Sequence, residues 1–320
     1  MSKEKRIKCI DCTRAICMLW IVGIWHMNGY LKTNIIVINE FTSNITIGVL
    51  GTFTFLSGFF SSKKIYSKKD VLIFYEKKII RIFPLFFLSC TSLFIASLYI
   101  NLNYIISLKQ YILTLIGLSN IILPAPETVW FVSMLILFYF FTPIFNCSFN
   151  TLFKMIIGVS IFVIFNSMEG ISKNIILYYP IYVLGLILKN KINLNKQNKF
   201  DFIRLIIMIV FWIFVVLIKI QKNYFFLNFI NMYFFINISL YLGRLFNKNR
   251  KITELMERIS YASLFAYLFH RQFYGLIKFF IGDFSLFMAY IIILPIFIVI
   301  SYISQKQYDK VIYKIKLEDS

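Results

Sequence analysis

Residues 7–30 read IKCIDCTRAICMLWIVGIWHMNGY, and Lys3, Lys5 and Arg6 precede them. A helix of about 20 mainly apolar residues is long enough to span the hydrocarbon core of a bilayer. The basic start resembles a secretory signal sequence, but no small-residue cleavage site follows it and further apolar segments do. The stretch therefore predicts a retained transmembrane helix whose basic end stays in the cytoplasm.

The apolar character extends over the whole chain. Of its 320 residues, 59% are hydrophobic and 15% are charged, and the mean hydropathy is +0.76. Soluble domains contain about 45–50% apolar and about 25% charged residues. The composition therefore excludes a soluble enzyme, a disordered chain and a disulfide scaffold. The long, unbroken apolar runs also disfavour an outer-membrane barrel, whose strands alternate.

Basic residues outnumber acidic ones by 34 to 14, which gives a formal net charge of +20. They cluster between the apolar segments, as the positive-inside rule predicts for cytoplasmic loops. A nucleic-acid site would need a folded basic surface, and the sequence leaves no soluble domain to carry one. We therefore expect a lipid bilayer, and no nucleic acid, among the partners.

Ten further apolar segments follow the first, at 45–60, 81–100, 111–123, 130–146, 152–167, 174–189, 202–220, 225–245, 260–280 and 284–304. Basic clusters lie at 63–81, 189–204, 248–258 and 306–316. If all four clusters are cytoplasmic, an even number of helices must separate neighbouring clusters, yet five segments separate the first two. Segment 111–123 is the shortest, and stretches of 10–14 apolar residues are more often re-entrant or interfacial than spanning.

Setting segment 111–123 aside leaves about ten transmembrane helices. The predicted fold is therefore an all-α integral membrane bundle with both termini in the cytoplasm. Because the sequence shows no internal repeat and no soluble insertion, we expect a single membrane domain over residues 1–320. Short basic tails at about 1–9 and 305–320 complete it.

Ionisable residues inside a membrane are costly and usually functional. The first helix carries Asp11 and Arg14 near its inner end and His26 near its outer end, and segment 260–280 carries His270 and Arg271. No Asp or Glu lies clearly inside a span, which disfavours a proton-coupled transporter.

Each of these residues has a structural and a chemical interpretation. His26 is either an interhelical hydrogen-bond partner or a general base that titrates near neutral pH. Arg14 either anchors the cytoplasmic end of its helix or grips a phosphate with its planar guanidinium. Asp11 precedes Arg14 by three residues and so lies on the same helical face, where it would orient or neutralise it.

Cys9 and Cys12 form a C-x-x-C pattern. A structural zinc site needs four ligands, but the chain has only two histidines and no second C-x-x-C. We therefore expect these cysteines to pack as small apolar residues and predict no metal site.

Five short motifs follow one another along the chain: 10–15 (IDCTRA) with His26, 53–59 (FTFLSGF), 78–84 (KIIRIFP), 128–133 (TVWFVS), and 259–261 (ISY) with 267–270 (YLFH). In this order and spacing they resemble the acyltransferase-3 family of integral membrane O-acyltransferases, from about residue 7 to residue 304. The family's usual core of ten helices matches the count obtained from charge.

The spacing between Arg14 and His26 departs from the family pattern. Eleven residues separate them, where the family usually has ten. In a straight α-helix, ten intervening residues place the two side chains about 20° apart around the axis, and eleven place them about 120° apart. Either a π-bulge absorbs the extra residue, or the two residues do not share a face.

The resemblance implies transfer of an acyl group, most often acetyl from acetyl-CoA, to a carbohydrate hydroxyl of O-antigen, capsule or another cell-envelope glycan. It implies a multi-pass protein of the bacterial inner membrane, with acetyl-CoA as co-substrate and no permanently bound cofactor. His26 would be the catalytic base, with Arg14 and Asp11 beside it. Arg81 would bind the donor near Ser57 and Gly58, which either permit close helix approach or donate to the thioester carbonyl.

Four further residues complete the expected site. Trp130 and Tyr261 would either stack on sugar or pack as interfacial aromatics, and His270 would support His26. Arg271 would hold a substrate anion or interact with a helix dipole. A lipid-linked glycan flippase or exporter, or a membrane glycan polymerase, remains the alternative, although the short loops and few buried charges favour neither.

Overall fold

The computed structural model describes residues 7–33, 39–99, 105–122, 125–147, 149–189, 201–221 and 225–318. Within these residues the chain is helical and forms no strand, and one isolated β-bridge joins Leu31 and Phe284. The α-helices are α1 (Lys8–Met18), α2 (Glu40–Ser61), α3 (Lys68–Tyr99), α4 (Leu108–Leu115), α5 (Ser119–Ile122), α6 (Val129–Asn146), α7 (Thr151–Ser167), α8 (Lys173–Leu188), α9 (Asp201–Gln221), α10 (Leu227–Phe246), α11 (Arg250–Ile281) and α12 (Leu294–Glu318).

Seven helical segments in the described part of the chain are long and apolar enough to cross a membrane. They are Lys8–Tyr30, Glu40–Ser61, Lys68–Tyr99, Val129–Asn146, Phe202–Ile220, Leu227–Phe246 and Met288–Ile312. Helices α7 and α8 are apolar but have only 17 and 16 residues, and α11 has 32 residues with a charged N-terminal part. The all-helical, multi-pass membrane architecture is confirmed, and the count of ten spans and the cytoplasmic termini stay predictions.

Segment 111–123 does not form one long helix. It contributes to α4, which has eight residues, and α5, which has four. At 1.5 Å per residue these helices are about 12 and 6 Å long, far short of the roughly 30 Å hydrocarbon core. Their lengths agree with the prediction that this segment does not cross.

Two helices begin earlier than the apolar pattern predicted. Helix α3 starts at Lys68 and α11 starts at Arg250, so basic residues that we assigned to loops lie within helices. The Asp70 carboxylate accepts hydrogen bonds from the Ser67 N–H and hydroxyl, both at 3.0 Å, which caps the start of α3. At α11 the cap is the Asn249 side chain, which accepts from the N–H groups of Lys251 and Ile252. Lys, Glu and Arg then continue each helix because they are good helix formers. Predicted basic residues at 1–6 and 190–200 lie outside the described residues.

The chain divides into two compact units. The first unit comprises Met1–Thr52 with Asn193–Ser320, and the second comprises Phe53–Ile192. In the first unit α1 packs against α10 and α11. The Thr13 hydroxyl donates to the Ser239 carbonyl at 3.1 Å, and a Cβ added to Gly243 would overlap Thr13. Cys9 and Cys12 are 3% and 0% exposed within this packing.

In the second unit the end of α2 crosses α8 at two glycines. A Cβ added to Gly58 would overlap the carbonyl oxygen of Tyr182, and one added to Gly185 would overlap the carbonyl oxygen of Phe55. The two backbones can approach this closely only because both positions lack a side chain. This geometry supports the close-approach interpretation of Gly58.

We predict that Gly58→Ala destabilises the protein. Alanine raises helix propensity by about 1 kcal/mol, but its methyl group must displace backbone, and such overpacking typically costs about 1–3 kcal/mol. Thermal unfolding in detergent should therefore show a lower Tm. Gly29→Ala is the matched control, because an added Cβ there meets no atom within 4 Å. Equal Tm values for the two variants would contradict the close approach.

The topology prediction is tested with reporters fused after residue 195, after Asn249 and after Ser320. All three should report a cytoplasmic location, because each position follows or lies within a basic cluster. An outside signal at residue 195 would mean that an odd number of helices separates it from the cluster at 63–81.

Candidate functional site

The first transmembrane segment changes its winding partway along. Helix α1 ends at Met18, a π-helix covers Leu19–His26, and a 3₁₀ turn covers Met27–Tyr30. A π turn closes its hydrogen bonds from i to i+5, so it takes in about one more residue than an α turn. The structure thus shows the π-bulge alternative, which absorbs the extra residue before His26.

Asp11 and Arg14 both hydrogen-bond to serines of α11. The Ser260 hydroxyl donates to the Asp11 carboxylate at 2.9 Å, and Arg14 Nη2 donates to the Ser263 hydroxyl at 3.0 Å. The two serines are three residues apart and therefore share one face of α11. These contacts fix the orientation of both side chains at one end of the helix pair.

His26 contacts the same face of α11, nearer the C-terminal end of that helix. Its Nδ1 lies 2.6 Å from His270 Nε2, and the two rings are within 4° of parallel, with centroids 4.6 Å apart. His270 follows Ser263 by seven residues, or two turns. Since the contacts advance in the same order on both helices, α1 and α11 run in the same direction. Arg14 and His26 therefore share a face.

The hydrogen bonds of the pair define its tautomers. His270 Nδ1 lies 2.7 Å from the Tyr267 carbonyl and 3.2 Å from the Ala266 carbonyl. A carbonyl only accepts, so Nδ1 of His270 carries the proton and, in the neutral ring, Nε2 must accept. His26 Nδ1–H is then the donor, and the lone pair of His26 lies on Nε2. His270 is 0% exposed, whereas His26 is partly exposed, so the free lone pair belongs to the accessible ring.

Two tyrosines hold the π-helix before His26. Tyr290 donates to the Gly23 carbonyl at 2.8 Å, and Tyr274 donates to the Val22 carbonyl at 3.4 Å. Tyr290 itself lies in a second π-helix, Met288–Ile293, and a Cβ on Gly23 would lie 3.0 Å from a methyl group of Leu294. Side-chain donors and close packing thus stabilise the local winding that sets the direction of His26.

Arg81 and its neighbours form a cationic region in the second unit. Lys78 Nζ donates to the Ser61 hydroxyl at 2.7 Å and lies 4.0 Å from the ring centroid of Tyr139. The positive charges of Arg81 and Lys189 repel that of Lys78. No ion pair between described residues includes Lys78 or Arg81. This excess of positive charge suits an anionic group.

Ser57 and Trp130, two further residues of the predicted site, both make contacts within the second unit. The Ser57 hydroxyl contacts the Tyr139 hydroxyl. Trp130 packs edge-on against Phe131 and tilted against Tyr178, as an ordinary aromatic contact would.

Tyr261 donates to the Asp309 carboxylate at 2.5 Å. It follows Ser260, the residue that donates to Asp11, in the N-terminal half of α11. The Arg271 carbonyl accepts from Tyr30 at 3.4 Å. The structure therefore brings Asp11, Arg14, His26 and His270 together along one helix pair and places Tyr261 at one end of it.

Several residues that contribute to this site were not predicted from the sequence. Ser260, Ser263 and Tyr274 share the face of His270, at a spacing of three, seven and four residues, and this repeat of polar side chains was a usable signal. Tyr290 carried no such signal, because its role depends on a π-helix. Lys78 stands in the motif 78–84, but its contacts depend on burial and could not be predicted.

Comparison with known families gives a match over nearly the whole chain. The profile of the acyltransferase-3 family, described as an acyltransferase domain, matches residues 7–305. No curated protein and no solved structure matches.

We predict that Tyr290→Phe loosens the π-helix. The Gly23 carbonyl would lose its side-chain donor, and a net hydrogen bond contributes about 0.5–1.5 kcal/mol. Amide exchange over Leu19–His26 should therefore accelerate, by roughly two- to tenfold, as measured by hydrogen–deuterium exchange and mass spectrometry. Tyr233→Phe is the control, because that side chain is 50% exposed. Unchanged exchange in Tyr290→Phe would show that packing alone maintains the winding.

Proposed function

Because the chain belongs to the acyltransferase-3 family, we propose that it transfers an acetyl group from acetyl-CoA to a hydroxyl of a cell-envelope carbohydrate. The family match makes it a membrane acyltransferase, and the donor and the glycan are the proposed part. The observation that carries the proposal is the imidazole pair, in which His26 presents a lone pair on Nε2 while His270 Nε2 accepts a hydrogen bond from His26 Nδ1–H.

The proposed reaction is a direct transfer. His26 Nε2 takes the proton of the acceptor hydroxyl as its oxygen attacks the thioester carbonyl. The new C–O bond forms, the C–S bond breaks, and the imidazolium returns the proton to the leaving sulfur of CoA. His270 stabilises the His26 imidazolium by accepting a hydrogen bond from its Nδ1–H, as a carboxylate does in hydrolase triads.

Arg14 and Asp11 are proposed to serve the donor end of the same helix pair. Arg14 is oriented by Ser263, and a planar guanidinium suits a phosphate oxygen pair. Arg81, with Lys78 beside it, is proposed to add positive charge for the anionic donor. Acetyl-CoA is cytosolic and the glycan lies at or beyond the outer face, so we place the protein in the bacterial inner membrane with Arg14 towards the cytoplasm.

The alternatives differ in what they require. A flippase, exporter or polymerase would need no acyl donor and no exposed general base. The family match favours acyl transfer over all three. The direct test is whether membranes that contain the protein move radioactive acetyl groups from acetyl-CoA onto glycan, compared with membranes that lack it. Absence of label in glycan from a strain that makes a suitable acceptor would contradict the proposal.

We predict that His26→Ala and His26→Gln both lower kcat by about 10²–10⁴, the usual contribution of general acid–base catalysis. Gln can hydrogen-bond to His270 but cannot carry the proton. Rates are measured per folded molecule, together with acetyl-CoA affinity, which should not change. A purely structural His26 predicts the reverse pattern, with Gln close to the parent and Ala reduced mainly in the amount of folded protein.

His270→Ala provides the comparison within the pair. It removes the group that orients His26 but leaves the base itself, so we expect a smaller loss of kcat than in His26→Ala. If His270→Ala is the more damaging variant while His26→Gln is active, the two imidazoles exchange roles.

A further inference from the structure

A cleft in the first unit has no role in the reaction described above. It has a volume of about 440 Å³ and lies between the N-terminal part of α11 and the middle of α12. Its lining residues are Glu254, Glu257, Arg258, Tyr261, Tyr302 and Lys306. Small-molecule sites typically measure about 300–1,000 Å³, so the cleft is large enough for part of a nucleotide.

The two glutamates of the cleft have basic partners that do not line it. Glu254 forms an ion pair with Arg250 at 2.9 Å, and Glu257 forms one with Lys8 at 3.8 Å. The ion-pair partners of both glutamates therefore lie outside the cleft, and the charge of Arg258 inside it also acts on Glu254.

The two basic residues that line the cleft differ from the glutamates in their ion pairing. Arg258 and Lys306 are exposed, and no ion pair between described residues includes either of them. Asp309, one turn beyond Lys306 on α12, accepts from Tyr261 and from Gln305. Two cations thus face the cleft, and an arginine fork beside a lysine is well suited to a phosphate group.

Two aromatic rings complete the lining. The centroids of Tyr261 and Tyr302 are 5.5 Å apart with an interplanar angle of 61°, and both side chains are half-buried. Tyrosine faces stack on nucleobases without needing a particular base. Aromatic rings beside paired cations favour a nucleotide over a bare phosphate.

We propose that this cleft binds the adenosine 3′-phosphate end of the acyl donor. The inference rests on the proposed function, in which the donor is acetyl-CoA. Arg258 and Lys306 contact the 3′-phosphate, and Tyr302 stacks on the adenine. Tyr261 then belongs to the donor, rather than to the sugar.

The position of the cleft along α11 fits this donor. Arg258 and His270 are twelve residues apart, or about 18 Å at 1.5 Å per residue. CoA separates its adenosine from its thioester by a pyrophosphate and an extended pantetheine arm. Ser263, which holds Arg14, lies between the two ends, where the pyrophosphate would pass.

The test uses the full-length protein in nanodiscs of neutral lipid, with adenosine 3′,5′-bisphosphate as the probe. Calorimetry should show that Arg258→Gln with Lys306→Gln weakens its binding by roughly ten- to a hundredfold, the effect of lost charge-assisted hydrogen bonds. Tyr302→Leu should weaken binding by roughly five- to a hundredfold, as for a lost base stack. Lys310→Gln, an exposed lysine one turn further along α12, is the matched control and should bind as the parent does. Unchanged binding in the double variant would overturn the proposal.

A lipid headgroup offers the same phosphate chemistry. Glycerol 3-phosphate is therefore titrated in parallel, and it should bind far more weakly than the nucleotide. If it binds equally well and depends equally on Arg258 and Lys306, the cleft is a headgroup site and the proposal is wrong.

Kinetics separate this inference from the proposed function. In the acetyl-transfer assay the cleft variants should raise the KM for acetyl-CoA about as much as they weaken nucleotide binding, and leave kcat within about twofold, since the residues lie far from the imidazole pair. Acetyl transfer with an unchanged KM would overturn the cleft assignment and leave the function standing. Cleft-dependent nucleotide binding in a protein that transfers no acetyl group would support the cleft and reject the function.

Discussion

A bilayer offers no water to polar groups, so each one buried within it needs a partner from the protein. Several contacts of the first unit follow this constraint. Asp11 and Arg14 are met by serines, and His26 is met by a second imidazole. Buried Lys219, 6% exposed, donates to the Asn44 side chain at 2.7 Å. In each case the partner comes from another helix, and the same hydrogen bonds that remove the cost of burial also orient the side chain.

The imidazole pair shows how this constraint fixes a protonation state. A backbone carbonyl fixes the proton on one ring, and that ring then dictates where the other keeps its lone pair. The outcome is an imidazole whose tautomer is set before any ligand arrives. Preorganisation of this kind avoids the cost of reorienting dipoles during the reaction. It needs no ionised carboxylate, which would be expensive at that depth.

The sequence predicted what depends on composition and on local spacing. Membrane insertion and most helix positions follow from the apolar runs. The roles suggested for Arg14 and His26 rest on short motifs and stay predictions. The predicted starts of α3 and α11 were wrong because polar residues with high helix propensity extend a helix beyond its apolar part. The partners of Asp11 and Arg14 could not be found, since each lies 249 residues away along the chain and a single sequence does not reveal which helices pack together.

The π-helix before His26 also determines how the chain accommodates one inserted residue. In a regular helix, adding or removing one residue turns everything beyond it by about 100°, which would carry the His26 side chain away from its partner. Here the additional residue is confined to Leu19–His26, and both flanking contacts with α11 are kept. One additional codon at this point therefore leaves the contacts of Arg14 and His26 with α11 in place. Sequence alignments that forbid gaps inside helices would misplace one of the two residues.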